Sequence, residues 1–183
     1  GESKLMVEKI LTWYHKLYNL NFVVLRYFNA SGASLDASTG ERHAPETHII
    51  PNVIFAALRN NPFKLFGDTY NTPDGTCIRD YIHVLDLCEA HLLALEKLGK
   101  DGGSGYYNVG TGTGFSNKQI VEMVEKVSGT SIQTEIVEKR AGDPDQLIAN
   151  ATKIQQELGF TPKYSDLETI VKTAWEWHKR NEK

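Results

Sequence analysis

Apolar residues recur along this chain at two spacings, one helical and one extended, and the two kinds of segment alternate. Between Glu2 and Tyr18 the apolar positions fall at helical spacing, and Asn19 ends the pattern. Phe22–Tyr27 is a compact run of β-forming residues, which is typical of a buried parallel strand. The same patterns predict helices over Ile49–Arg59, Leu85–Leu98, Ser116–Val127, Ile154–Leu158 and Leu167–Lys179, and strands over Phe63–Phe66, Ile78–Val84, Tyr106–Val109 and Ile132–Val137. Strands that alternate with helices predict an α/β fold.

Several connecting segments carry signals of their own. Phe28–His48 is a long irregular stretch, and loops of this length inside a compact domain are uncommon and tend to be functional. Gly67–Gly75 and Gly102–Gly105 are predicted turns. Ser116 with Gln119 three residues later matches a capping box, which predicts that a helix begins there.

Composition and charge narrow the classes of function. The chain has 183 residues, of which 40% are apolar and 23% charged, with a formal net charge of −3. This charge offers no general attraction for nucleic acid or for an anionic membrane, so any phosphate must be bound by a few placed basic residues. Cys77 and Cys88 form no disulfide framework, and the sequence shows neither a signal peptide nor a membrane-spanning stretch. We therefore expect a cytoplasmic protein.

The glycine cluster Gly110–Gly114 has two interpretations. It follows a predicted strand and precedes a predicted helix, which is the setting of a dinucleotide-binding fingerprint. The third glycine, however, comes two residues after the second rather than three, and no acidic ribose ligand follows on a second strand. A tight strand–helix junction is the preferred interpretation.

Two basic–acidic motifs are candidates for binding an anion: Arg79 with Asp80, and Arg140 with Asp143. An arginine can bind a phosphate through two parallel hydrogen bonds, and a nearby carboxylate can accept hydrogen bonds from ribose hydroxyls. The alternative is that each pair forms a surface or interdomain salt bridge. Both interpretations remain open at this point.

A third candidate is the segment Tyr27-Phe28-Asn29, which ends a predicted buried strand. The carboxyl ends of strands are where α/β folds place ligand contacts. Asn29 could equally cap a loop.

No metal site is expected. The six histidines, at positions 15, 43, 48, 83, 91 and 178, lack the spacing of metal ligands, and His83 and His91, eight residues apart, would not share a tetrahedral site within one helix turn.

Taken together and in order, several of these pieces resemble one family. The chain is similar over essentially its whole length to the extended short-chain dehydrogenases/reductases, and within them to the epimerases that act on UDP-hexoses. Gly1–Lys4 resembles the end of a Tyr-x-x-x-Lys motif whose tyrosine would precede Gly1. The other matching segments are Leu25–Ala33, His48–Pro51, Phe66–Asp68, Asp74–Val84 and Arg140–Pro144.

The resemblance implies roles for individual residues. Lys4 would be the catalytic lysine, binding the nicotinamide ribose of NAD and lowering the pKa of the tyrosine, and Tyr27 would lie near the nicotinamide. The implied substrate-binding residues are Asn29, His48, Ile49, Leu65, Phe66, Arg79, Arg140, Asp143 and Leu147. Among them, Asn29, Arg79 and Arg140 would contact the diphosphate, Leu65 and Phe66 the uracil, and Asp143 the uridine ribose.

The implied reaction interconverts UDP-glucose and UDP-galactose. NAD oxidises C4 of the hexose, the 4-keto sugar turns about its diphosphate link, and reduction follows on the other face. Leu147 matches a position at which a tyrosine narrows the sugar pocket in some members, so its smaller side chain predicts that UDP-N-acetylhexosamines also fit. Without a tyrosine partner for Lys4, we expect residues 1–183 alone to be inactive and not to retain NAD.

The resemblance also implies a division of the chain. Residues 1–30 would be the last helix and strand of the NAD-binding Rossmann domain, and residues 31–183 the UDP-sugar-binding domain, with strand 106–109 returning to the Rossmann sheet. The apolar faces of the first helix and strand would then be uncovered, which predicts homo-oligomers. The alternatives are a non-catalytic nucleotide-sugar-binding module and another UDP-sugar-modifying member of the family, such as a UDP-glucuronate epimerase or decarboxylase.

Overall fold

Most of the predicted helices and strands are present in the structure. The structure, a computed structural model, describes residues 1–100 and 103–182, so the predicted turn over Gly102–Gly105 lies partly outside the described residues. The helices are α1 (Glu2–Tyr18), α2 (Ile49–Arg59), α3 (Val84–Lys100), α4 (Asn117–Ser128), α5 (Thr152–Leu158) and α6 (Leu167–Asn181). The strands are β1 (Val23–Tyr27), β2 (Asn29–Ser31), β3 (Phe63–Phe66), β4 (Ile78–His83), β5 (Gly105–Val109), β6 (Gly114–Ser116), β7 (Thr134–Val137) and β8 (Gln146–Leu147).

The helix ends follow from local sequence signals. Asn19 adopts a left-handed conformation with φ 55° and ends α1, as the sequence predicts. Ser116 and Gln119 form both hydrogen bonds of a capping box at the start of α4, which confirms the predicted helix start. Gly129 ends the same helix at φ 70°, a conformation that residues with a Cβ rarely adopt.

Three groups of strands position the loops. β1 pairs in parallel with β5, and β3 pairs in parallel with β7. β4 lies between β2, which is parallel to it, and β6, which is antiparallel, and it also pairs with β8. Together with the surrounding helices these pairings confirm the predicted α/β fold class. β2 spans residue 30, where the sequence places the domain boundary, and the division into 1–30 and 31–183 remains a prediction.

Two apolar clusters form the core. The larger lies between α2, α4 and α6 and includes the fully buried Ile54, Ile120 and Ile170. The smaller lies where α3 and α5 pack near β5, around Tyr107 and Phe160. Within the described residues, we found no helix that combines the length and the apolar character needed to span a bilayer.

One prediction about burial was wrong. The segment 22–27 was expected to be a buried strand, but β1 is half-buried over Val23–Leu25 and exposed at Arg26 and Tyr27. Helix α1 contains no buried residue, so neither element is enclosed by the described residues. The short strands β2, β6 and β8 were not predicted, because two or three residues are too few for a periodic pattern.

Candidate functional site

The main candidate site is a cleft of about 780 Å³ between the loop before α2, strands β3 and β4, and the segment that follows β7. Its walls combine residues that are distant in sequence. The structure brings eight of the predicted site residues together in it: Asn29, His48, Ile49, Leu65, Phe66, Arg79, Arg140 and Asp143. Clefts of this size with a few converging polar groups are typical small-molecule sites.

Arg79 is fixed in the wall of the cleft by three acceptors. Its Nη2 donates to Asp143 Oδ1 at 3.2 Å, and its Nη1 donates to the carbonyl oxygens of Pro144 and Ile78 at 2.9 and 2.8 Å. The side chain is only 12% exposed. A guanidinium this restricted presents its charge in one orientation, which suits the binding of an anion.

The pairing of charges differs from the local pairs considered in the sequence. Arg79 pairs with Asp143, 64 residues later, rather than with its neighbour Asp80. Successive side chains of a strand point to opposite faces, so Arg79 faces the cleft while Asp80 faces the interior and is fully buried. An Arg79–Asp80 salt bridge is therefore excluded.

Arg140 packs on an aromatic ring in the same cleft. Its guanidinium carbon lies 4.0 Å from the centroid of the Phe66 ring, within the range of a cation–π interaction. Arg79 and Arg140 thus provide two positive groups in one cleft, next to an aromatic surface.

Asn29 is held in place by the neighbouring strand. β2 places Asn29 opposite Tyr81 of β4, and its Nδ2 donates to the carbonyl oxygen of Asp80 at 2.9 Å. An amide has two N–H donors and one carbonyl acceptor, and this bond uses one donor. The rest of the amide's hydrogen-bonding capacity is available at the cleft.

The glycine cluster surrounds a carboxylate of the protein itself. Asp80 accepts hydrogen bonds from the backbone N–H groups of Thr111, Gly112 and Ala149 at 3.0–3.1 Å, and from Thr111 Oγ1 at 2.8 Å. A Cβ at Gly110 would lie 2.7 Å from Asp80 Oδ2, which accounts for the first glycine. The anion-binding N–H groups of this loop are therefore already used, which favours the structural junction over a dinucleotide fingerprint.

Among the residues of the cleft that were not identified from the sequence, Cys77 and Asn117 form a pair. Cys77 is buried, and burial raises the pKa of its thiol; it accepts a hydrogen bond from Asn117 Nδ2 at 3.2 Å. Alternation along the segment that leads into β4, in which Cys77, Arg79 and Tyr81 share a face, could have indicated Cys77. No local signal indicates Asn117, because the tertiary structure brings the start of α4 to the cleft.

The remaining predicted residues lie elsewhere. Tyr27 and Leu147 line a second, smaller cleft of about 410 Å³, which also includes Asn29. Both side chains are about half exposed. Lys4 lies exposed on α1 and lines neither of the two clefts. Asn29 is thus the predicted residue shared by both clefts.

Comparisons with known proteins agree with this architecture. A family model described as "NAD dependent epimerase/dehydratase family" matches residues 1–110. A UDP-glucose 4-epimerase of Halalkalibacterium halodurans is 51% identical over 99% of this chain and 54% of its own length. The chain therefore spans about half the length of the curated relatives it matches.

Solved structures show the same likeness. The UDP-glucose 4-epimerase of Brucella ovis in complex with NAD has a TM-score of 0.91 at 48% identity, over 96% of this chain and 55% of the other. The UDP-Glc/GlcNAc 4-epimerase of Campylobacter jejuni has a TM-score of 0.78 at 43% identity, over 98% of this chain and 55% of the other. From the match of the family model to well over half of its residues and from these relatives, the chain belongs to the NAD dependent epimerase/dehydratase family.

Proposed function

We propose that this chain is the nucleotide-sugar-binding part of a cytoplasmic UDP-glucose 4-epimerase, which interconverts UDP-glucose and UDP-galactose with NAD. The observation that carries the proposal is the convergence of Arg79, Arg140 and Asn29 on one cleft. The guanidinium groups of Arg79 and Arg140 and the side-chain amide of Asn29 are suited to a diphosphate, since arginine binds phosphate oxygens through paired N–H donors.

Binding of a diphosphate would change the partners of Arg79. Its Nη2 donates to Asp143, whose side chain is 35% exposed. A phosphate oxygen that took over this donor would leave the Asp143 carboxylate free to accept from a ribose hydroxyl. The Arg79–Asp143 pair would thus hold a phosphate-binding group and a ribose-binding group next to each other before the nucleotide binds.

The aromatic wall supports recognition of the uracil. Phe66 is partly exposed and carries Arg140 over its ring at 4.0 Å, while Leu65 is buried beside it. The planar ring of a base can pack its face against such a wall, and Arg79 and Arg140 line the same cleft and can receive the diphosphate. This order of contacts matches a uridine diphosphate.

The residues around the second cleft fit the nicotinamide end of NAD. Tyr27 presents a half-exposed ring at the carboxyl end of β1, where α/β folds bind ligands. Lys4 lies outside both clefts, exposed on α1, and its ammonium would bind ribose hydroxyls of NAD and lower the pKa of a nearby tyrosine. When bound, NAD supplies the acceptor and the donor of hydride at C4 of the hexose. Asn29, shared by both clefts, would position the sugar between nucleotide and nicotinamide.

Substrate range follows from Leu147. Its side chain lies in the second cleft with Tyr27 and Asn29, and it is smaller than a tyrosine. A bulky N-acetyl group at C2 of the sugar would find space there. UDP-N-acetylhexosamines are therefore proposed as further substrates, and neither nucleic acid nor a membrane as a partner.

Two measurements test the proposed function. The full-length protein that contains these residues should epimerise UDP-galactose in a coupled assay and should bind UDP in calorimetry. Residues 1–183 alone should not turn over, since they contain no tyrosine four positions before Lys4. UDP binding without epimerase activity in the full-length protein would favour a non-catalytic module, and turnover only of UDP-glucuronate would favour another member of the family.

A further inference from the structure

The loop before α2 brings together three potential metal ligands that sequence spacing did not indicate. One ligand atom from each of Glu41, His43 and His48 lies within 4.8 Å of the other two. His43 Nε2 is 3.2 Å from Glu41 Oε1, and the rings of His43 and His48 are stacked with centroids 5.2 Å apart. Two imidazoles and a carboxylate therefore lie close together at the surface.

A fourth residue orients one of the imidazoles. Glu46 Oε1 lies 2.9 Å from His48 Nδ1, and the Glu46 side chain is only 7% exposed. The same oxygen accepts from the backbone N–H groups of Thr47 and His48 at 2.7 and 2.8 Å. Since this oxygen already accepts from two N–H groups, we assign His48 Nδ1 as a third donor to it, which leaves the lone pair of Nε2 for an ion. Metal-binding histidines typically have such a carboxylate behind them.

The backbone of the loop is anchored to α6 at Glu41, one of the ligands, and at Asp36. Trp177 Nε1 donates to the carbonyl oxygen of Glu41 at 3.0 Å, and Arg180 Nη1 donates to that of Asp36 at 2.8 Å. Gly40 lies so close to the Trp177 ring that a Cβ there would be 2.5 Å from the ring carbons. The end of α6 thus holds the loop in the conformation that gathers the ligands, which lowers the entropic cost of binding an ion.

The donor set selects the class of metal. Two histidines and one carboxylate suit zinc, whereas calcium and magnesium prefer oxygen ligands alone. Tetrahedral ligands lie roughly 3.3–3.5 Å apart when metal–ligand distances are near 2.1 Å. The exposed side chains of Glu41 and His43 can close the remaining distance by rotation.

We propose that Glu41, His43 and His48 form a zinc site at the mouth of the nucleotide-sugar cleft. Three protein ligands leave a fourth position for water or another oxygen, the arrangement of open zinc sites. Glu41 and His48 also line the main cleft, so this position lies at its entrance.

The test uses the untagged full-length protein that contains these residues, stripped of metal with a chelator. Titration with zinc chloride in a calorimeter should show one zinc per chain. His43→Ala should weaken zinc binding at least about tenfold, since it removes one of three ligands. Glu46→Gln should weaken zinc binding by about tenfold, because it removes the carboxylate that orients His48. His91→Ala is the matched control, because His91 is an exposed histidine on α3 outside the cluster, and it should bind zinc like the unchanged protein.

Cobalt provides a second readout that does not depend on activity. Cobalt bound to the unchanged protein should show the visible absorption of a tetrahedral site, and His43→Ala should abolish it. His43 is exposed, pairs with the exposed Glu41 and stacks on the exposed His48, so the variant should keep its melting temperature. Absence of zinc binding in the unchanged protein, or equal affinity in a folded His43→Ala variant, would overturn the proposal.

Discussion

The buried carboxylate of Asp80 accepts the backbone N–H of Gly112 at 3.0 Å, across 32 residues of sequence. Thr111 and Ala149 donate to the same carboxylate, so the glycine loop and the segment after β8 close around a charge on β4. Loop N–H groups that could bind a phosphate are thereby used to fix the strand that carries Arg79. The loop thus supports the main cleft through β4.

The first prediction concerns this buried carboxylate. Asp80→Asn replaces an oxygen by an NH₂ group that faces N–H donors, so at least one buried donor loses its acceptor. We expect the free energy of unfolding to fall by about 3 kcal/mol or more. Urea unfolding measures it. The control is Asp145→Asn. Asp145 is exposed and lies just before β8, so this change should alter stability by less than about 0.5 kcal/mol. Equal stabilities of the two variants would contradict the assigned role.

The second prediction concerns the nucleotide. Arg79→Met removes the largely buried guanidinium of the cleft, and UDP affinity should fall by about 10- to 100-fold, as expected for hydrogen bonds to a charged group. Calorimetry with UDP measures the change. Lys126→Met removes an equal charge from the exposed surface of α4, where Lys126 pairs with Glu168, and should leave UDP affinity unchanged. A similar small effect in both variants would show that the cleft is not the UDP site.

A third prediction follows from His83, which is fully buried. Burial lowers its pKa below the ordinary value, although Asp86 and Asp166 oppose the shift. The neutral ring accepts from the Leu85 N–H at Nδ1 and pairs with Thr173 through Nε2, and protonation of Nδ1 would break the first bond. Because the folded-state pKa is depressed, the stabilisation is present above the unfolded pKa of about 6.5 and is lost as the pH falls below it.

Unfolding free energies measured between pH 7.5 and 5 check this dependence. His83→Gln should be less stable than the unchanged protein at pH 7.5 and should lose less stability on acidification. Part of the pH dependence should remain in that variant, because burial also lowers the pKa of His178. His91→Gln, an exposed control, should follow the unchanged protein. If the unfolding free energy of His83→Gln falls with decreasing pH as steeply as that of the unchanged protein, His83 does not contribute to the pH dependence of stability.

The fourth prediction concerns substrate range. Leu147→Tyr places a larger side chain in the second cleft beside Tyr27 and Asn29. In the full-length protein we expect kcat/KM for UDP-N-acetylglucosamine to fall about tenfold or more relative to that for UDP-glucose, since only the N-acetyl group needs the space. Leu147→Met, close to leucine in volume, should keep the ratio. An unchanged ratio in Leu147→Tyr would mean that this position does not limit the sugar.

The fifth prediction concerns α1. Its apolar side chains are exposed, among them Ile10 at 53% and Trp13 at 60%, and a contiguous exposed apolar face favours association. We expect the 183-residue chain to form homo-oligomers whose sedimentation coefficient rises with concentration. Ile10→Glu should shift the population towards monomer, and Leu92→Glu, which changes an exposed leucine on α3, should not. A monomer at every concentration would contradict the expectation.

The amino-acid sequence alone determined the elements and several of their ends. The bounds of α1, α2 and β3 agree with the apolar periodicity, and the capping box at Ser116 marks the start of α4, because these signals depend on side chains within a few residues of one another. The motif order from Lys4 to Arg140 also indicated the family. β1 shows the limit of such patterns: its apolar composition predicts burial, but burial depends on which surfaces pack on the strand.

The tertiary structure decided which groups meet. Arg79 pairs with Asp143 rather than Asp80, the glycine loop closes on a buried carboxylate, and His43 comes to lie against His48. None of these relationships has a periodic signal, because the first two depend on how distant segments of the chain return to β4 and the third on the irregular path of the loop before α2. Local sequence sets which residues are helical or extended, whereas long-range packing sets the distances between charges, and those distances determine the chemistry of the cleft.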